Sequence, residues 1–420
     1  MDPTKYLLTY LLVVLLAISE VFPLSVSAMV GAALAVFFGI SDGLFTYKEA
    51  LSLIDLELIA LIISVMIVVE IVDRYGTFRY IALKVTRRSA EKPGLLLVSV
   101  GLMSALTSLL LSDEAAILLF TALMGALAKL SGLDLLPFAI ASAVMVNLGG
   151  TGMLTGSLPN MVVGLRAGFN FLEFALYILP LEFILYGVTL LFLYSYYSPK
   201  LRTQVSVENL MDVHVSIVDA IKGAVVLASM ISSLVVASLL DLPVSGAALL
   251  VGTAALAVSG FDTSEVLRRV EWDTVFFAAA FTALVGVVER ADAMRGFVEF
   301  TRELSGGSLV ASTLFILFVS GTLGLFVPNV ITALSFIPLV DGLPFPDKRA
   351  LWVALVVGSN LSGVGLPVSS YVIVLTLGAL RREGYKVDPW SISKIGIPLT
   401  GIWLLVSTIY LLLRFNLLAW

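Results

Sequence analysis

The chain has no cysteine and a single histidine, His214. The first absence excludes disulfides, thiolate metal sites and cysteine nucleophiles. The second leaves no histidine cluster to hold a metal, and a lone histidine between apolar runs reads as a loop residue. Charge is scarce as well. Only 13% of residues are Asp, Glu, Lys or Arg, roughly half the share in soluble domains. No basic patch is present, so nucleic acid is not an expected partner. No phosphate-binding P-loop occurs, so ATP drive would need a separate ATPase subunit, which nothing in the sequence implies. An intramembrane enzyme lacks its parts, with no His/Glu metal cluster and no nucleophile motif in a suitable context.

What is present is apolar surface. Hydrophobic residues make up 59% of the chain, and its mean hydropathy is +1.05. Runs long enough to cross about 30 Å of hydrocarbon recur from end to end. The first, 6–18, follows a single lysine and shows no small-residue cleavage site, so it reads as a span. The expected fold class is an all-α polytopic membrane protein.

Spans are placed near 6–22, 24–41 and 57–73, followed by a basic amphipathic segment at 74–93. Apolar stretches 94–111 and 115–130 flank Ser112-Asp113-Glu114. The second is short for a span, so the pair reads as a re-entrant hairpin, 94–130. A broken stretch at 137–165 and a span near 174–197 complete the first half. After a polar linker, 198–215, the order returns. Spans lie near 216–240, 243–260 and 273–288. A charged segment at 289–306, a hairpin at 308–340, a broken stretch at 350–380 and a last span at 395–415 follow.

Residues match as well as order. VDRY at 72–75 corresponds to VERA at 288–291, and EAL at 49–51 to EVL at 265–267, both 216 residues on. NLGGTG at 147–152 corresponds to NLSGVG at 360–365, 213 on, and the SDE interruption to VPN at 327–329, 215 on. Four matches at nearly one offset indicate an internal duplication, with a first repeat at 1–197 and a second at 216–420. Each repeat has about five spans plus a hairpin, and an odd number inverts the second. With 74–93 on the cytoplasmic side, 16 of the 25 Lys and Arg fall inside, as the positive-inside rule requires. Both termini are then expected outside the cytoplasm of a plasma or inner membrane. Inverted repeats with broken helices and polar tips point to a secondary transporter with its site at the repeat interface.

Residues 146–160, VNLGGTGMLTGSLPN, form the first break. One half-helix should end near Asn147 and the next should start near Pro159 and Asn160, with Ser157 capping the free amides. The glycines let the linking backbone turn and approach other groups. Carbonyls at the first end suit a cation, and amides at the second suit an anion. The second break holds Asn360, Ser362, Gly363, Gly365, Pro367, Ser369 and Ser370. Two adjacent acids at the first hairpin tip, Asp113 and Glu114, are costly among apolar runs unless paired, protonated or bound to a cation. They are expected to hold Na⁺, with Asn147, or to exchange a proton. Glu70, Asp73 and Arg74, like Glu289 and Arg290, read as interfacial. Arg166 marks an outer boundary, and Glu173 and Glu182 flank a span start with no role assigned.

These residues carry a resemblance. The first break resembles the NIGG-T…G-DPPN signature of the ion-transporter superfamily. The nearest branch comprises the arsenite-efflux pumps, the D-type Na⁺/H⁺ antiporters and the melanosomal P-protein, with the divalent anion–sodium symporters more distant. The hairpin tips of that branch, LDN and VDN, resemble Leu111-Ser112-Asp113-Glu114 and Val327-Pro328-Asn329. The likeness covers essentially the whole chain and specifies no substrate. It implies a scaffold from the first three spans of each half (6–73 and 216–288). It also implies a transport domain of hairpins and broken helices moving elevator-like, and a homodimer. By position it assigns Asp113 to the first tip, and Asn147, Gly149, Gly150, Thr151 and Asn160 to the first break. Asn329 falls at the second tip, and Asn360, Gly363 and Gly365 in the second break. Thr155, Ser157, Thr332, Ser362 and Ser369 are polar neighbours in the same segments. Glu114 stands where the family has asparagine, and Pro328 where it has a second aspartate. One acidic site at the first tip is therefore expected, not a symmetric pair.

The leading expectation is an ion-coupled secondary transporter of a small anion or oxyanion-type solute, inorganic or carboxylate. Arsenite or antimonite efflux is the nearest named example. The alternative is Na⁺/H⁺ antiport, with the acidic tip as the exchange site. No cofactor is expected beyond Na⁺ or H⁺ as coupling ion.

Overall fold

The computed structural model describes residues 2–417 except 20, 90, 112, 132, 133, 202–215, 368, 383, 386, 387 and 389, and does not describe the side chains of 114, 130, 131 and 200. Ser112, the Glu114 side chain, His214 and most of the 198–215 linker thus lie outside the described residues. The described chain is all helix with no strand.

The first half runs α1 (Thr4–Ser19), α2 (Leu24–Ser41), α3 (Tyr47–Leu51), α4 (Leu56–Arg74), α5 (Thr77–Ser89), α6 (Pro93–Leu110), α7 (Asp113–Ser131), α8 (Leu135–Gly149), α9 (Leu158–Arg166) and α10 (Phe171–Tyr197). The second runs α11 (Ile217–Leu239), α12 (Val244–Val258), α13 (Thr263–Arg268), α14 (Trp272–Arg290), α15 (Arg295–Leu304), α16 (Leu309–Leu323), α17 (Asn329–Gly342), α18 (Arg349–Leu361), α19 (Tyr371–Arg382) and α20 (Trp390–Arg414). Local chemistry sets many of the starts. Asp55 accepts from Leu58 N–H at 2.9 Å, Asn170 and Glu173 form a capping box on α10, and Pro93 opens α6.

Among the described residues seven helices are long and apolar enough to cross a membrane, and α15 with α16 make an eighth candidate bent by 115°. α6 is one of the seven, so the first arm of the expected hairpin has the length of a full span. The short helices α3 and α13 were not expected. They hold the matched EAL and EVL and begin 216 residues apart.

Packing repeats across the halves. Within each half, α6 packs on α8 and α16 on α18. Between halves, α2 packs on α14 and α4 on α12, while α9 packs on α17 and α18 and α19 on α7 and α8. α8 and α18 are buried on almost every side: only Leu136 and Arg349 escape. Helices that are apolar all round belong in the centre. α2, α11 and α12 instead present large apolar side chains outward, such as Phe37, Val225 and Leu250, as a lipid-facing surface does.

Candidate functional site

The two breaks meet in the buried centre. α8 ends at Gly149, and a Cβ there would overlap the backbone of Ala105 in α6. Only glycine lets these two helices lie so close. The chain then turns through 150–157 before α9 starts at Leu158.

Asparagines staple this turn. Asn160 Nδ2 donates to the carbonyls of Gly150 (2.9 Å), Thr151 (3.0 Å) and Met153 (2.8 Å). Its Oδ1 accepts from Asn360 Nδ2 at 2.9 Å. Asn147 Nδ2 in turn donates to the Asn360 carbonyl at 3.0 Å. The buried carbonyls of Gly150 and Thr151 are thus satisfied by one amide, which is tied to the second break, while the partly buried Met153 carbonyl also accepts from Gly156 N–H at 3.0 Å. Asn147 Oδ1 and Thr151 Oγ1 are buried without a hydrogen-bond partner among the described residues. The Asn147 oxygen faces Gly363, where a Cβ would lie 3.0 Å from its Cγ.

Ser157 does not cap α9. Its side chain makes no cap hydrogen bond and its hydroxyl instead donates to Asn360 Oδ1 at 3.4 Å. The first amides of α9 therefore have no side-chain cap. The Ser157 backbone is extended (φ −152°, ψ 158°), as a capping residue's ordinarily is, but its hydroxyl points to the second break.

Asp113 opens α7 beside the first break. Ser108 O–H lies within reach of both Asp113 Oδ1 and the Val146 carbonyl. A Cβ on Gly150 would stand 2.5 Å from Asp113 Oδ1. No lysine or arginine forms an ion pair with Asp113 among the described residues. Among the described residues, no three His, Cys, Asp or Glu side chains gather there as a metal cluster.

The remaining candidates sit apart from this centre. Thr155 lines a small cavity with Val65 of α4 and Leu227 and Met230 of α11. Asn329 Oδ1 accepts from the next amide, Val330 N–H, at 2.8 Å, and Thr332 O–H reaches the Val327 carbonyl at 3.5 Å. The second tip is thus bonded locally. Ser362 Oγ donates to the Ser359 carbonyl at 2.8 Å and packs on Gly324. Gly365 abuts Leu325, and Ser369 Oγ donates to the Leu366 carbonyl at 2.6 Å. Arg166, at the far end of α9, pairs with Glu289 and Asp341, each at 2.6 Å. It borders a cavity of about 450 Å³ that α14 and α17 also line.

One residue at the centre was passed over in the sequence. Glu182 of α10 is 1% exposed and lies against the first break at Gly152. Its place in the middle of an apolar helix was the available signal.

Residues 14–358 match a family model described as citrate transporter. An uncharacterized transporter of Mycobacterium tuberculosis is 28% identical over 403 residues, covering 92% of this chain and 93% of its own. The magnetosome protein MamN of Magnetospirillum gryphiswaldense is 23% identical over 92% of this chain and 93% of its own. Among solved structures, the YdaH transporter of Alcanivorax borkumensis is similar with a TM-score of 0.60 at 16% identity, over 85% of each chain.

Proposed function

Since this chain belongs to the citrate transporter family, within the ion transporter superfamily, we propose that it moves a small carboxylate or oxyanion through the junction of its two breaks, coupled to Na⁺ or H⁺ at Asp113. That it is a multi-pass membrane transporter follows from the family and its apolar helices. The observation that carries the anion is the start of α9. Its amides have no side-chain cap and lie where both breaks meet. A helix N-terminus of this kind favours negative charge. The oxygens of Asn147 and Thr151, without a hydrogen-bond partner among the described residues, lie on either side in sequence of Gly150, which abuts Asp113, and suit a hard cation.

Exchanged packing between the halves supports an inverted repeat, scaffold helices α1–α4 and α11–α14, and a moving body of hairpins and broken helices. A homodimer in the plasma or inner membrane, termini outside the cytoplasm, completes the reading. Na⁺/H⁺ antiport is a second reading, favoured by an Asp113 with no basic ion-pair partner among the described residues.

The test is flux. Purified protein in liposomes carries an internal pH dye, with voltage clamped by K⁺ and valinomycin. Citrate or arsenite is expected to move the signal, Na⁺ or Li⁺ alone is not, and Asp113→Asn should abolish the coupled response. A response to Na⁺ or Li⁺ alone would replace the anion reading with the antiport one.

A further inference from the structure

Glu182 is the twelfth of the 27 residues of α10, about 16 Å along the helix at about 1.5 Å per residue. That is about half the depth of the hydrocarbon. Its Oε1 accepts from Tyr186 O–H, one turn on. Its Oε2 has no hydrogen-bond partner among the described residues. A Cβ on Gly152 would overlap Oε2 and lie 2.5 Å from the carboxyl carbon. The carboxyl is therefore pressed onto the bare backbone of the first break, in a space that only glycine leaves free.

A carboxylate here would hold a full charge with one hydrogen bond and no counter-ion among the described residues. The cost of such an ion is several kcal/mol. The neighbouring titratable groups are Tyr186 on its own helix and Asp113 across the break. α6, α8, α11, α18 and α20 all pack on α10. α6 and α8 carry no charge, and the others carry theirs near their ends. A metal ion would need several oxygens, whereas a proton needs one.

We infer that Glu182 is a proton-binding site of the transport cycle, seated on the first break at Gly152 and distinct from the Asp113 tip. Oε2 takes a proton from water to give a neutral carboxyl, while Tyr186 keeps its own proton and continues to donate to Oε1. When the break moves off Glu182, water reaches the carboxyl and accepts the proton. The inference rests on the transporter reading above, with the first break as a moving part.

Infrared titration of the full chain in liposomes tests it without any substrate. The wild type is expected to show a protonated-carboxyl C=O band that fades as pH rises. Glu182→Gln should remove that band. Tyr186→Phe should keep it and shift it to higher wavenumber, because the C=O loses its hydrogen bond. The shift decides the matter alone if Glu182→Gln does not fold. No titrating band, a band that survives Glu182→Gln, or a band removed by Asp113→Asn would overturn the assignment. A titrating Glu182 band in protein that moves neither citrate nor arsenite would sink the anion reading and leave the proton site standing.

Discussion

At the scale of single residues, the site is a small set of asparagines with divided labour. Asn160 serves three carbonyls and Asn360 at once. Removing a donor from a buried acceptor costs about 1–3 kcal/mol per group. Asn160→Ala is therefore expected to lower stability by about 2–4 kcal/mol, since the Gly150 and Thr151 carbonyls are orphaned, share one loop and do not add fully, while the Met153 carbonyl keeps its bond from Gly156 N–H. A thermal midpoint measured in detergent should fall by several degrees. An unchanged midpoint would mean that the loop holds itself. The sequence made these positions visible, because Asn and Gly interrupt an apolar run. It did not reveal their partners, since contacts between 147 or 160 and 360 depend on how the halves dock. The same blindness misplaced Ser157, whose hydroxyl answers to Asn360 and not to its own helix. Glu182 was missed for another reason. The apolar run reads as a span starting near 174, which puts Glu182 close to an interface, whereas α10 starts at Phe171 and the carboxyl sits deep within it.

At the scale of elements, most helices were legible from apolar run length, and α2 matches its expected bounds. The short α3 and α13 were not, because five and six residues are too few to show a period. Close approach between helices was also invisible, although glycine hinted at it. α8 lies on α6 only because Gly149 has no side chain. Here two effects of Gly→Ala oppose each other. Helix propensity alone favours Ala by about 1 kcal/mol. Overlap with the Ala105 backbone costs about 1–3 kcal/mol, and backbone cannot yield as a flexible side chain does. Gly149→Ala is expected to destabilise on balance. Gly187→Ala in α10 has nothing within 4 Å of the new methyl, so it should stabilise by about 0.5–1 kcal/mol. Paired thermal melts give the sign of each. Stabilisation at both sites would show that propensity, not the α6–α8 contact, governs them.

At the scale of the molecule, the question is whether the hairpins and broken helices move against the scaffold. Arg166 ends α9 in the first group, and Glu289 lies near the end of α14 in the second. Their 2.6 Å ion pair bridges the proposed scaffold and the proposed moving body beside the cavity of about 450 Å³. The pair is partly exposed, so its worth to stability is small, about 1 kcal/mol or less. Its value is as a marker of relative position. An elevator-like displacement must separate these residues in every cycle, whereas gating by local side chains need not. The chain has no cysteine, so Arg166→Cys with Glu289→Cys provides two thiols and no background. A bifunctional thiol reagent as long as the ion pair it replaces would then tie α9 to α14. Counterflow of labelled citrate is expected to stop on cross-linking and to return when a cleavable linker is cut. Each single-cysteine variant treated alike should keep its flux. Full counterflow with the cross-link complete would show that the two bodies stay together at this end, and that the substrate passes without the displacement.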